Sequence, residues 1–378
     1  MRPAGEPAPD RADASAPEPH LEGVHLQRTD ENHREIAALA GLLGDPIGLR
    51  GLLGELKYQA RRSRLPARLL GRAVSEAYTW NDYDQRDAQW YPQGISTSAD
   101  ASDTEEVAGR RVLVTTWYST GRDGVKRGSR VTFLDLDTLK YRHVLLVIPV
   151  FDKAGNLTLR PMNIHAGGIV WAGPWLHIAA TRRGFVTARI DDIMRVPGDD
   201  DQPDDIGIDG QQFASFGHRY VLPVRSTYTA LTDDGHQRLR YSFASLDRSS
   251  DPPTVIAGEY NTGSDLSRLA RYQLDPSTWQ LKTGSDGFSR PLEVGDGGII
   301  RMQGVALAGG RYHATVSHGP FVPGTIYAGS PGRLRPRRMA LPMGPEDLSY
   351  WPSTDMLWSL TEHPRRRWIV AMKRSAFD

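Results

Sequence analysis

The chain has no cysteine among its 378 residues, which excludes disulfide staples, thiolate nucleophiles, cysteine zinc sites and iron–sulfur ligation together. It also lacks an excess of either charge, since 46 Lys and Arg stand against 45 Asp and Glu. No strong net field draws it to nucleic acid or to an anionic membrane, so a small neutral or weakly charged molecule is the expected partner. No run approaches the ~18 apolar residues of a membrane span, and the N-terminus lacks the basic-then-apolar layout of a secretion signal. The expected setting is a soluble, cytoplasmic monomer, with secretion of a longer precursor as the alternative. Dinucleotide, P-loop, HExxH and GxSxG signatures are missing too, which disfavours nucleotide, zincin and nucleophile-elbow chemistry. The acidic run Asp199-Asp-Asp-Gln-Pro-Asp-Asp205 lacks the glycine and distal glutamate of a calcium loop and reads as a flexible surface loop.

What is present falls into three stretches. Residues 1–31 are rich in Pro, Ala, Asp and Glu and read as a disordered tail. Residues 32–80 carry helical periodicity. Leu49, Leu52, Leu53 and Leu56 form one apolar stripe, and Leu69, Leu70, Ala73, Val74 and Ala77 a second, with Pro46 and Pro66 at first-turn positions. Those stripes, with Ile47, are expected to pack on the rest of the molecule, leaving Arg61, Arg62, Arg64, Arg68 and Arg72 on a solvated face. Residues 81–378 are short β-rich runs broken by Gly, Pro, Asp and Asn.

The third stretch repeats. Segments beginning at Val112, Leu176, Tyr220, Tyr312 and Met356 start apolar and end polar, at separations of 64, 44, 92 and 44 residues. A spacing near 44 falls in the ~40–45 residue range of a four-stranded propeller blade. The interval of 92 then covers two blades, with Thr254–Tyr260 and Leu269–Leu274 as second and third strands of a degenerate unit. The expectation is an all-β, six-bladed β-propeller, with five blades as the competitor.

In a propeller the innermost strands converge on a central channel, so residues distant in sequence meet at its mouth. Gln93, His165, Gln211, Gln303 and Glu346 hold equivalent starts of the innermost strands and are expected to form one ring. Glu346 and His165 are the candidate catalytic pair, because only these two exchange protons near neutral pH. Gln93, Gln211 and Gln303 are candidate substrate-binding groups, and Asp347 is expected to raise the pKa of Glu346 by like-charge repulsion. The second strands end in Tyr118, Arg182, Arg225, Glu259, His318 and Glu362, which are expected on the opposite mouth. Of these, His318 and Arg225 are further binding candidates. His363 and Arg365-Arg-Arg367 read as a solvated hairpin tip. Trp80, Trp90, Trp117, Tyr118, Trp171 and Trp175 divide between packing and stacking on a ligand.

The phrases His165-Ala-Gly-Gly-Ile-Val-Trp171, Met302-Gln-Gly-Val305 and Gly344-Pro-Glu-Asp-Leu-Ser-Tyr350 resemble those of uncharacterised actinobacterial propeller proteins. The six-blade expectation is loosely similar to the strictosidine synthase and SMP-30/gluconolactonase group. That resemblance implies acid–base condensation or calcium-assisted hydrolysis at the axis. Gln at three ring positions departs from the Glu, Asn and Asp calcium set of that group, so no cofactor is expected. The functional expectation is non-redox acid–base chemistry (hydrolase, lyase or cyclase) on a small oxygen-rich molecule, such as a glycan fragment or natural-product intermediate. The alternative is a propeller that binds a small ligand or a protein without chemistry.

Overall fold

The computed structural model describes residues 23–197, 204–210, 212–263, 267–297 and 299–378. Within them the β-rich runs form five antiparallel four-stranded units. Blade 1 is Trp90–Thr97, Val112–Ser119, Ser129–Asp135 and Lys140–Phe151. Blade 2 is Ile169–Ala172, Trp175–Ala179, Gly184–Arg189 and the second half of the long strand Tyr220–Thr232. Blade 3 is Phe243–Asp247, Thr254–Gly258, Arg268–Gln273 and Glu293–Asp296. Blade 4 is Met302–Ala308, Arg311–Val316, Pro323–Gly329 and Arg335–Met343. Blade 5 takes Pro345–Trp351, Met356–Thr361 and Trp368–Lys373 from the C-terminal end, and its outer strand, Val74–Thr79, from far upstream.

The first strands of the five blades touch one another in cyclic order, so the ring is closed. They approach closely enough to dictate sequence. A Cβ on Gly168 would lie 2.1 Å from the backbone nitrogen of Ala244, and one on Gly304 would lie 2.6 Å from the Cα of Asp347. Only glycine fits at such contacts.

Five blades, and not six, follow from what the repeat at Tyr220 turned out to be. Thr254–Gly258 and Arg268–Gln273 are the second and third strands of a blade, as the spacing implied. Tyr220–Thr232 is an outer strand: it pairs with Gly184–Arg189 and runs parallel to Lys140–Phe151 through Val221↔Leu145, stitching blades 1 and 2 together at their outer edges. Its apolar pattern imitates an inner strand because Tyr220, Leu222 and Val224 are buried in one cluster with Leu49, Leu52 and Leu53. Gln211 lies outside the described residues, and its neighbours Gln212–Ser215 pair only with Ile206–Asp209 in a separate hairpin.

The N-terminal stretches also differ from expectation. Residues 1–22 of the expected tail lie outside the described residues, whereas Val24–Arg28 is a strand paired with the long strand in the register Leu26↔Ala230. His33–Gly54 has the length and hydropathy of a membrane span, yet it is two helices, α1 (His33–Leu43) and α2 (Gly48–Gly54), separated at Asp45-Pro46. Both lie on the propeller: Ile36 and Leu39 join one core cluster and Leu49, Leu52 and Leu53 another. Each such leucine contributes about 2 kcal/mol through burial.

The second expected helical stripe is broken. Only α3 (Ala67–Leu70) is helical, Leu69 is 75% exposed, and Val74 and Ala77 belong to the strand that closes blade 5. The break occurs where Gly71 passes so close to blade 4 that a Cβ would lie 2.3 Å from the carbonyl oxygen of Ala340. The propeller therefore begins at Val74, before the expected boundary at 81.

Candidate active site at the axial mouth

Glu346 sits near the start of the inner strand of blade 5 and is 3% exposed. Gln303, at the equivalent place in blade 4, donates from Nε2 to its Oε1 at 3.3 Å. Burial pushes the Glu346 carboxyl well above the usual carboxylate range, and the neighbouring charges of Glu362 and Asp347 push it further.

Glu362 lies beside it, at the same mouth and not the opposite one. Antiparallel pairing brings the end of each second strand next to the start of the first, as the register Pro345↔Thr361 shows. Its side chain is 20% exposed, and Gln93 of blade 1 donates from Nε2 to its Oε2 at 2.9 Å. Burial raises the Glu362 pKa, while the Gln93 hydrogen bond and the charge of Arg367 oppose the rise. Tyr118, the last-but-one residue of the second strand of blade 1, is pushed up to about 12 by burial and by Glu362 and Glu346. Its ring stacks on His165 with centroids 4.4 Å apart. His165 is itself exposed at the rim. The protein walls around it lower its pKa by desolvation, and water at the open face softens that pull. Tyr260 completes the rim, its hydroxyl pKa raised by burial and by Glu346.

Four of the ring candidates (Gln93, His165, Gln303 and Glu346) therefore share one mouth, together with Glu362 and Tyr118. The other candidates make different contacts. Asp347 is fully buried and contacts no open space. Its Oδ2 accepts from the backbone amides of Ile95 at 3.2 Å and Ile169 at 3.4 Å, so one side chain of blade 5 clasps blades 1 and 2. Its Oδ1 finds no hydrogen-bond partner among the described residues, and burial holds its pKa well above the ordinary value. A protonated, neutral carboxyl fits both facts. Arg225 is bound to Asp192 at 2.5 Å and Glu31 at 3.1 Å on the outer edge of blade 2, because the long strand that carries it is not axial. His318 donates to or accepts from Thr325 Oγ1 at 2.9 Å within blade 4.

Arg367 is not at a solvated tip. It is fully buried, donates from Nε to the Glu362 carbonyl at 2.8 Å and from its terminal nitrogens to the carbonyls of Asp84 and Trp90, and stacks against Tyr91 and Trp117. It fixes the backbone that carries Glu362. Of the aromatic candidates, Trp80, Trp90, Trp117 and Trp171 are packed in the core and Trp175 is 8% exposed, which leaves Tyr118 at the mouth.

Deeper along the axis Asp100 accepts from Ser96 Oγ at 2.6 Å and Ser349 Oγ at 2.9 Å. Burial raises its pKa to about 6. Among the described residues no group of three or more His, Asp or Glu side chains converges as a metal site. The mouth has two carboxyls of unequal proton affinity, two amides and a stacked Tyr–His pair, a set suited to proton transfer and to holding hydroxyl groups.

The architecture defines the protein as an all-β propeller with an acidic axial mouth. No family model matches the chain, and no curated protein matches it. Solved structures similar to it include a gluconolactonase from Xanthomonas campestris, at 12% identity, 84% of this chain, 97% of that chain and a TM-score of 0.39. A GH43_1 enzyme from Xanthomonas citri stands at 10% identity, 81% and 92% coverage and a TM-score of 0.35. The β-propeller domain of Cps50 (Swd1) from Myceliophteria thermophila stands at 10% identity, 84% and 99% coverage and a TM-score of 0.35. At such scores the likeness carries no argument, and the fold rests on the strand pairing described above.

Proposed function

We propose that the protein is a hydrolase-type enzyme that performs non-redox acid–base chemistry on a small, hydroxyl-rich, sugar-like molecule bound at the axial mouth. The observation that carries this reading is the pair Glu346 and Glu362, two carboxyls side by side whose environments separate their proton affinities. Glu346, the more deeply buried and the more strongly raised, keeps its proton and serves as general acid. Glu362 is more exposed, accepts from Gln93 and feels Arg367, so it ionises first and serves as base for an attacking water. The two titrate as a coupled pair. Gln303 and Gln93 orient the carboxyls and present their remaining polar atoms to substrate hydroxyls. His165 is the stacking partner of Tyr118 and forms a flat platform for the substrate, in place of the proton-exchanging role expected from sequence.

Elimination or cyclisation would use the same pair, and binding without turnover is the second reading, favoured by the Tyr118–His165 platform. A panel of aldonolactones and nitrophenyl glycosides tests the proposal. Hydrolysis of at least one member is expected, with turnover lowered about 10²-fold or more in Glu346→Gln and in Glu362→Gln while melting temperatures are kept. Turnover retained by both variants would sink the assignment, and saturable binding with no turnover would favour the second reading.

A further inference from the structure

A cavity of about 380 Å³ opens on the shoulder between blades 5 and 1. Its walls come from the link Asn81–Asp84, from blade 1 and from the turn Phe216–Arg219. One part of this wall is electrically self-contained. Asp84, 2% exposed, accepts from Arg130 at 3.1 Å, Tyr141 at 2.5 Å and His143 Nε2 at 3.0 Å. Burial lowers the His143 pKa to about 4, so the neutral ring donates from Nε2 to Asp84, and its Nδ1 accepts from Thr132 Oγ1 at 2.7 Å. Arg130 is clamped between Trp90 and Trp117, 4.5 and 4.8 Å from the ring centroids. Asp84, Arg130, Tyr141 and His143 thus each have at least one partner within this cluster.

Arg142 does not. It lines the same cavity and is only 8% exposed. Its guanidinium lies between the rings of Tyr58 at 5.4 Å and Tyr220 at 4.9 Å, and no hydrogen bond or ion pair reaches it among the described residues. Two aromatic faces offset part of the desolvation of a cation, and its N–H donors are left to the solvent of the cavity it lines. Contact with two rings restricts the side chain, and the guanidinium fork matches the two oxygens of a carboxylate or phosphate. The cavity volume falls within the usual range for small-molecule sites.

We propose that the shoulder cavity binds a small molecule with an anionic head, carboxylate or phosphate, on a flat apolar body, the head being received by Arg142. Phe216 and Trp90, lining the same space, provide apolar surface for the body. The site is independent of chemistry at the axial mouth.

The test titrates the full chain with benzoate, phenyl phosphate and the uncharged benzamide, following binding calorimetry and melting temperature. At least one anion is expected to bind saturably and raise the melting temperature, the stronger identifying the head group, and benzamide is expected to do neither. Arg142→Met, whose apolar chain fits beside the two tyrosines, should weaken anion binding at least about 10-fold without lowering the melting temperature of the ligand-free protein, because no hydrogen bond or ion pair of the described residues is lost with the guanidinium. Arg142→Lys keeps the charge without the fork, should also bind about 10-fold more weakly, and serves if the methionine variant does not fold. Failure of both anions to bind the wild type would overturn the proposal, as would equal binding in Arg142→Met or Arg142→Lys. A lowered ligand-free melting temperature with unchanged anion binding would mark Arg142 as a structural clasp only.

Discussion

The axial mouth and the shoulder cavity lie on the same propeller and are opposite in charge and in origin. At the mouth Glu346 and Glu362 crowd together with raised pKa values. At the shoulder Arg130, Arg142 and Arg219 line the cavity, and Arg130 pairs with the carboxylate of Asp84. Burial alone would raise that carboxylate's pKa, but His143, Arg130 and Tyr141 overcome it and hold the group well below the usual range. The mouth is assembled from strand ends of all five blades, so the repeat itself creates it. The shoulder is assembled from departures from the repeat: the link between blades 5 and 1, the strand Tyr58–Gln59, and the turn after the inserted hairpin. A repeat architecture can thus generate one site by symmetry and another by what interrupts the symmetry.

The comparison breaks first at ring closure, because the N-terminal stretch supplies both the outer strand of blade 5 and a wall of the shoulder. Deletion of residues 1–80 should abolish cooperative unfolding altogether, whereas a deletion ending at residue 57 keeps Val74–Thr79 and should leave a propeller that melts cooperatively at a lower temperature. Identical melting of the two truncations would contradict the closure role of that strand.

Next in size is the contrast in pH response. Glu346 acts as an acid, so turnover should fall as pH rises through its raised pKa. The shoulder groups do not change charge near neutrality. Asp84 stays ionised, burial holds His143 at about 4 and His218 at about 3, and burial raises Tyr83 above its ordinary value. Affinity for benzoate, which is ionised throughout, should change less than about twofold between pH 6 and 8.5, and a steep dependence there would count against Arg142 as its receptor.

The smallest effect concerns Asp100, whose pKa burial raises in the folded protein from the ordinary 3.8 to about 6. A carboxyl raised on folding stabilises fully below its unfolded pKa and loses that contribution as pH rises through the folded one. Asp100→Asn should therefore melt several degrees above the wild type at pH 8, and no higher than it near pH 4. A gain that persisted at pH 4 would show that the buried charge is not its source.

Much of the mouth was readable in the chain. Gln93, Gln303 and Glu346 share a short-range relation to the strand that follows each, and that relation survives because inner strands must all present the same end to the axis. Gln211 imitated it, since a long outer strand covered by α2 acquires the same alternation as an inner one. Glu362 was visible as a second-strand end but assigned to the wrong mouth, an error of strand direction and not of pattern. Arg142 carried no signal at all. What sets it apart is that no hydrogen bond or ion pair reaches its guanidinium among the described residues, and the rings of Tyr58 and Tyr220 beside it come from outside blade 1 and have no spacing to read.

The outer strand of blade 5 has a consequence for biosynthesis. Val74–Thr79 pairs with Trp368–Lys373, so during translation at about 5–20 residues per second the nascent strand waits from about fifteen seconds to a minute for its partner to leave the ribosome. Over that interval its unpaired edge is a template for pairing with a neighbouring chain. Arg61 and Arg62, which pair with Thr79 and Tyr78 along the other edge, put two positive charges beside the waiting strand, where they repel a second copy of the same nascent segment.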